Sequence, residues 1–211
     1  MQCPLCQKQS SQHYWQDKRR DYRQCDICKL VFVPPAQRLS PQSEKAEYDL
    51  HHNCADDAGY ISFLNRLALP LTGVLSDGCI GLDYGCGPSP VLAALLSEKG
   101  HQVSYYDPFY YPDEKVFKRR YDFISCSEAI EHFFHPGEVC QNWMSLLKAK
   151  GWLAIMTKRV IDRHRFKTWH YKNDPTHVCF FSEETFGWLA KKYRMRLEVS
   201  GPDVVLLQKL A

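Results

Sequence analysis

Leu82-Asp83-Tyr84-Gly85-Cys86-Gly87-Pro88-Ser89 decides how this chain is built. Ahead of the glycines runs Ile80-Gly-Leu-Asp83-Tyr84, short and apolar, which reads as a buried strand. Behind them Ser89 offers an N-cap and Pro90 a first helical residue for a helix over Val91–Lys99, closed by Gly100. A strand that turns through glycine directly into a helix is the building unit of a parallel sheet. The pattern continues down the chain. Gln102–Tyr106 reads as the next strand, ending at Asp107-Pro108, and Tyr121–Cys126 as another. A helix opens at Pro136 and stops before Gly151, and Trp152–Thr157 is a strand. Ser182 caps a helix whose first turn carries Glu183 and Glu184, matched to the helix dipole. Two strand-like runs, Met195–Val199 and Val204–Gln208, flank Gly201-Pro202. The fold class is α/β: a mostly parallel sheet with helices on both faces and an antiparallel C-terminal hairpin.

The 211 residues are 45% hydrophobic and 13% aromatic, enough for a packed core, so disorder of the whole chain is excluded. The length suits one ordinary domain plus a small appendage. No run of about 18 apolar residues exists, which excludes a membrane span. The first residues, Met1-Gln-Cys3-Pro-Leu-Cys6, lack a charged region followed by an apolar stretch, and the expected location is cytoplasmic. A net charge of +3 selects no class of partner.

Ten cysteines are the unusual count. Four stand as Cys3-x2-Cys6 and Cys25-x2-Cys28, with 18 residues between the pairs. Each Cys-x2-Cys turn presents two thiolates to one ion, and the set reads as a structural zinc site with no open coordination position. Four free thiols or two disulfides are the competing readings. Residues 1–35 therefore read as a zinc ribbon, too small to fold without such a staple. Residues 36–59, polar and acidic, read as a linker and entry helix, and residues 60–211 as the main domain. From Tyr60 the apolar spacing turns helical through Leu71, with Pro70 expected to kink or end the helix. Cys54, Cys79, Cys86, Cys126, Cys140 and Cys179 are single and read as ordinary small interior residues.

A glycine loop at a helix N-terminus lets backbone approach a ligand closely, and here it reads as the site of a nucleoside cofactor. A dinucleotide fingerprint would want glycine at position 90, which is Pro90. An S-adenosylmethionine loop has an acidic residue two places before its first glycine, and Asp83 stands there. Asp107, 22 residues after Gly85, could accept hydrogen bonds from both ribose hydroxyls in either case. The terminal hairpin tips the balance toward S-adenosylmethionine.

Four segments carry a family likeness: LDYGCGPS, YYDP, YDFISCSEAIEHFFHP and GWLAIMTK. With them residues 45–211 resemble the class I S-adenosylmethionine-dependent methyltransferases, which have a Rossmann-like sheet. EYDLHHN, DDAGYISFL and WHYKNDPTHVCFFSEETF look like bacterial methyltransferase domain-containing proteins with an N-terminal zinc ribbon. The resemblance implies that Asp83, Tyr84, Gly85, Cys86 and Gly87 border the methionine part of the cofactor and that Asp107 holds the ribose. It implies that Pro108 and Phe109 pack on adenine, and that Ser127 and Glu128 face the sulfonium and the acceptor. Two features depart from the family. Ser89 replaces a third glycine. Only 13 residues, Pro108 to Arg120, separate Asp107 from the next strand. The usual helix and third strand cannot both fit there, so the sheet edge is expected to be shortened.

Methyl transfer needs alignment first and, for a neutral acceptor, a base. Candidates are Glu128, Glu131, His132 and His135 after one strand, and His170, Asp174 and His177 after the next. His132 leads, with Glu128 and His177 beside it, because the family pattern places it near the reaction centre. Residues 158–172 carry six basic side chains against Asp162, which suggests an anionic acceptor. Trp169, Tyr171, Phe180 and Phe181 could stack on a ring there or simply pack a lid. The leading reading is methyl transfer to an unidentified small acceptor. The alternatives are an RNA or translation-factor methyltransferase that docks substrate on the ribbon, and a non-catalytic adaptor that only holds the cofactor.

Overall fold

The computed structural model describes residues 1–50 and 57–210. Residues 51–56, which include Cys54 and the ends of two of the segments quoted above, lie outside the described residues. β1 (Ser11–Gln16) and β2 (Asp21–Cys25) form an antiparallel hairpin, and β3 (Val31–Phe32) pairs with β2. α1 (Pro41–Tyr48) and α2 (Ala58–Thr72) follow. Then come β4 (Ile80–Tyr84), α3 (Val91–Glu98), β5 (Gln102–Tyr106), β6 (Tyr121–Ser127) and α4 (Pro136–Leu146). The chain continues through β7 (Leu147–Met156), α5 (Arg163–Thr168), β8 (Cys179–Phe180), α6 (Glu183–Tyr193), β9 (Met195–Ser200) and β10 (Val204–Lys209).

The main sheet has the order β5-β4-β6-β7-β10-β9, parallel through β7 and antiparallel in the last two pairings. Period-two alternation splits its side chains between two faces. Phe123, Trp152, Ala154, Met156, Val204 and Leu206 meet Leu64, Leu67 and Leu71 of α2 and Val91, Leu92 and Leu96 of α3. Ile124, Leu153, Ile155, Val205 and Leu207 face the other way, toward Trp143 of α4 and Phe186 and Leu189 of α6. β5 is the free edge. Between it and β6 stands only a 3-10 turn, Glu114–Lys118, which is the expected shortening. Among the described residues no helix is long and apolar enough to cross a membrane.

In four places the structure corrects or fills in the local reading. Ser89 does not cap α3: Pro90 holds the N-cap position without a side-chain bond, and the buried Asp83 carboxylate takes the Ala93 amide from below. Pro70 sits inside α2, and the helix ends two residues later at Thr72. The stretch read as a linker and entry helix contains α1, started by Ser40, whose hydroxyl accepts from the Ser43 amide at 3.2 Å, and by Pro41. β7 starts at Leu147, and its pairing with β6 jumps from Leu147 to Trp152.

The cysteine-bearing head, read as a separate unit, is joined to the body by backbone. β3 pairs with β8, Val31 opposite Phe180 and Phe32 opposite Cys179, and the Val33 amide reaches the Val178 carbonyl at 2.9 Å. The first cysteine turn rests on α4, where the Gly137 amide donates to the Pro4 carbonyl at 3.2 Å. A Cβ at Gly137 would press on the Leu5 carbonyl oxygen, a backbone atom with little freedom to yield. Gly137→Ala is therefore expected to lower unfolding stability by about 1–3 kcal/mol. Urea denaturation checks this; an unchanged midpoint would show that the head is not seated on α4.

Candidate functional site

A cavity of about 430 Å³ opens at the carboxyl ends of β4, β5 and β6, where ligands bind in such sheets. At one end lies the glycine loop. The Gly85 and Cys86 amides both donate to the Tyr106 carbonyl, at 2.8 and 3.2 Å, which pins the turn to β5. Gly85 has φ +78°, and a Cβ there would strike Ala129. Gly87 has φ +64° and nothing within 4 Å of a built Cβ, so bare backbone faces open space. Asp107 ends β5. Its Oδ2 accepts from the Gly87 amide at 3.0 Å, and its Oδ1 accepts from Phe109 and Tyr110 at 2.9 and 3.2 Å. Oδ2 keeps a lone pair for a further donor. Asp83 lies beneath, accepting from the Ser125 hydroxyl at 2.8 Å, with burial pushing its carboxyl up to about 7.

Asp83, Gly85, Cys86, Gly87, Asp107, Pro108, Ser127 and Glu128 all line the cavity. Tyr84 does not: its ring turns into the core among Tyr106, Phe133 and Trp143, because β4 alternates and the Asp83 side faces the ligand. Burial drives the Cys86 and Cys126 thiols up, as fits interior residues. Two groups lining the cavity were missed by sequence reasoning. Glu44 and Tyr48 of α1 close one wall, the Tyr48 hydroxyl donating to Glu44 Oε1 at 2.7 Å. α1 is too polar for its apolar spacing to reveal it; Ser40-Pro41 was its one mark.

The other end gathers Glu128, Glu131, His132, Asp174 and His177. Directly after β6 comes Glu128, held at φ +45° with its amide on the Met156 carbonyl at 2.8 Å. That left-handed residue, unusual for glutamate, throws the chain into the 3-10 turn Ile130–His132 and aims three side chains at one spot. Tyr171 donates its hydroxyl to Glu131 Oε1 and stands 3.3 Å from Glu128 Oε2. Burial raises both glutamates above the usual carboxylate range. The rings of His132 and His177 meet edge to face at 4.6 Å, and Tyr48 packs on His132 at 5.1 Å. Burial lowers the His177 imidazole against the pull of Asp174. His135 and His170 do not line the cavity.

The basic run does not line it either. Arg159 reaches the Gly201 carbonyl at 2.6 Å, Lys172 pairs with Asp17 at 3.1 Å, Arg165 lies by Asp162, and Lys167 lies over Trp15. Tyr171, Phe180 and Phe181 are buried and Trp169 packs on Phe166, so these aromatics are core.

Arg20, in the β1–β2 turn, joins the head to this site. Its guanidinium donates to the carbonyls of Lys172, Asp174, Pro175 and His177, the last three at 2.9–3.0 Å. Asp17 fixes the turn by accepting from the Arg19 and Arg20 amides at 2.8 and 3.0 Å, and it also accepts from Tyr22 and Lys172. The loop carrying Asp174 and His177 is thus shaped from the head.

The four paired cysteines converge. Their Sγ atoms lie within 4.8 Å of one another, with Cys3–Cys28 at 3.5 Å and Cys6–Cys25 at 3.4 Å, all buried. Gln7 and Lys29, each following a Cys-x2-Cys turn, sit at φ +63° and +61°, which closes both turns alike.

A family profile described as "Methyltransferase domain" matches residues 46–194. No curated protein matches the chain. Among solved structures, the Burkholderia thailandensis 1,6-didemethyltoxoflavin-N1-methyltransferase aligns with a TM-score of 0.57 at 15% identity, over 96% of this chain and 100% of that one. It holds 1,6-didemethyltoxoflavin and S-adenosylhomocysteine. An O-methyltransferase family protein from the same organism aligns at 0.51 and 13%, over 81% of this chain and 60% of that one. CalO1, a methyltransferase in calicheamicin biosynthesis with S-adenosylhomocysteine bound, aligns at 0.51 and 12%, over 72% and 55%.

Replacing Arg20 by Met should strand four carbonyls, two of them buried, and cost about 2–4 kcal/mol of stability, with Arg20→Lys in between. A loss below about 1 kcal/mol in urea unfolding would show that the loop holds its shape without the guanidinium.

Proposed function

The chain belongs to the methyltransferase-domain family, and we propose that it carries a methyl group from S-adenosylmethionine to a small-molecule acceptor held beside Glu128, His132 and His177. One observation carries this reading: a single cavity has the glycine loop and Asp107 at one end and the histidine–carboxylate cluster at the other. Its volume suits a cofactor and a compact acceptor together.

When bound, S-adenosylmethionine supplies a methyl group already activated by its sulfonium. The protein does the rest. Gly85, Cys86 and Gly87 leave backbone bare for the methionine part, with Asp83 buried beneath them. The spare lone pair on Asp107 Oδ2 takes a ribose hydroxyl. Pro108, Phe109 and Tyr110 flank the adenine where the sheet edge is short. Ser127 and Glu128 border the transfer point. Alignment in such a site is worth up to about 7–11 kcal/mol. His132, partly buried next to Glu131 and His177, is placed to take a proton from the acceptor.

The basic run lies outside the cavity, so it lends an anionic acceptor there no support. The substrate-docking reading of the head draws none from Pro4, Arg20 and β3, all engaged by the body. We assign the head one structural zinc on Cys3, Cys6, Cys25 and Cys28. A zinc–sulfur bond of about 2.3 Å in a tetrahedron sets sulfurs about 3.8 Å apart, close to the observed spacing. The ion would neutralise thiols that otherwise crowd one another in a buried pocket.

Calorimetry with S-adenosylmethionine tests the cofactor assignment. Asp107→Ala should lose about 2 kcal/mol of binding, roughly 30-fold in Kd. Unchanged affinity would sink it. Labelled cofactor in fractionated cell extract should mark a small molecule; label in RNA or protein instead would overturn the acceptor class. Elemental analysis of protein purified without chelators should find one zinc per chain, and a value near zero would remove the metal from the head.

A further inference from the structure

One ligand-capable atom each from Glu131, His132 and His177 lies within 4.8 Å of the others at the acceptor end of the cavity. Glu131 is fully buried. Tyr171 occupies its Oε1, and its Oε2 has no hydrogen-bond partner among the described residues. A buried carboxylate oxygen left so is costly unless a ligand answers it. His177 points the same way. Its Nδ1 lies 2.7 Å from the Tyr171 carbonyl, which can only accept, so Nδ1 carries the proton and Nε2 keeps its lone pair. An imidazole tied back through one nitrogen to a backbone carbonyl is oriented as metal-binding histidines are. Nε2 stands 3.7 Å from Asp174 Oδ2, beyond a hydrogen bond. His132 Nε2 stands 4.0 Å from Glu131 Oε1.

The charge count around the cavity is one-sided. Glu44, Asp83, Asp107, Glu128, Glu131 and Asp174 line it, and no lysine or arginine does among the described residues. Asp83 and Asp107 belong to the cofactor end. That leaves Glu44, Glu128, Glu131 and Asp174 around two imidazoles, with no cationic side chain among the described residues of the cavity wall to meet them.

We propose that Glu131, His132 and His177 form a divalent-cation site, flanked by Glu128, and that the acceptor is a small molecule that binds this cation through oxygen. Two imidazoles and a carboxylate suit a first-row ion such as Mn²⁺, Fe²⁺, Co²⁺ or Zn²⁺, unlike the all-thiolate set of the head. Ligand atoms on one such ion stand about 3.0–3.4 Å apart, so the three side chains close by roughly an ångström on loading. Three protein ligands leave positions open, which is where an acceptor oxygen would sit. His132 is then a ligand, and Asp174 a neighbour that positions His177. The acceptor class rests on the methyltransferase reading of the other end of the cavity; the cation site does not.

The test titrates the zinc-loaded full chain with Mn²⁺, followed by the electron paramagnetic resonance of free Mn²⁺, and with Co²⁺ by absorbance. S-Adenosylmethionine affinity is measured alongside by calorimetry. One equivalent should bind, and Glu131→Gln and His132→Asn should each weaken it about 100-fold. Glu131→Gln keeps an acceptor for Tyr171, so it serves if another variant fails to fold. If neither ion saturates below about 1 mM in protein that binds S-adenosylmethionine, the cation site is overturned and the methyltransferase reading stands. Equal binding by wild type and both variants also overturns it. Binding lost in the variants, in protein that ignores S-adenosylmethionine, supports the site and removes the cofactor reading.

Discussion

The backbone of residues 172–177 leaves the short 3-10 turn His170–Asn173 and reaches β8 without further regular structure, and buried carbonyls tolerate no vacancy. One guanidinium resolves the difficulty by meeting four carbonyls of this stretch at once. Arginine suits the task because its planar fork offers five donors in fixed directions. Arg20 is itself placed by a turn that Asp17 ties down, and Asp17 in turn takes Lys172 from the loop being shaped. Burial works against the Asp17 carboxylate, but hydrogen bonds from Arg19, Arg20, Lys172 and Tyr22 outweigh it and keep it ionised. Head turn and acceptor loop therefore define each other, and the place of the His177 ring follows from both.

The two ends of the cavity are built by different means. The cofactor end belongs mainly to the sheet: the glycine loop hangs from Tyr106, Asp107 reaches back to Gly87, and Ser125 of β6 holds Asp83 beneath. Where the missing strand would have walled the adenine region, side chains stand in. Tyr110 donates to Asp49 at 2.7 Å, and Tyr48 packs on Phe109 at 5.7 Å, which lays α1 along that side. The acceptor end belongs to loops, sewn together where the Val178 amide meets the Glu131 carbonyl at 2.9 Å.

Sequence patterning located the sheet well because its cues are local. β4 and β5 fall on the residues the alternation marks, and the 13-residue gap after Asp107 foretold the shortened edge. Two of the leading acceptor-site candidates, Glu128 and His132, were visible as a cluster because a single turn carries them. What escaped was non-local or weakly patterned. α1 has no apolar stripe to read. The basic residues of 158–172 look like a binding surface until their partners in the fold are known. Nothing near Arg20 announces that its partners lie more than 150 positions away. Tyr171 read as a ring for stacking or for packing a lid, whereas its hydroxyl is what ties Glu128 and Glu131 together.

Pairing β3 with β8 has a consequence for how the molecule comes to exist. The head precedes the sheet in the chain, and its cysteine turns and hairpin need only neighbours in sequence. Its third strand must wait for Phe180, roughly 150 residues later, with almost the whole sheet to be made in between. A local staple that keeps the head compact through that interval would hide its apolar strand from other chains. The acceptor pocket is then among the last features to form, so only a chain completed well past its middle can hold a substrate.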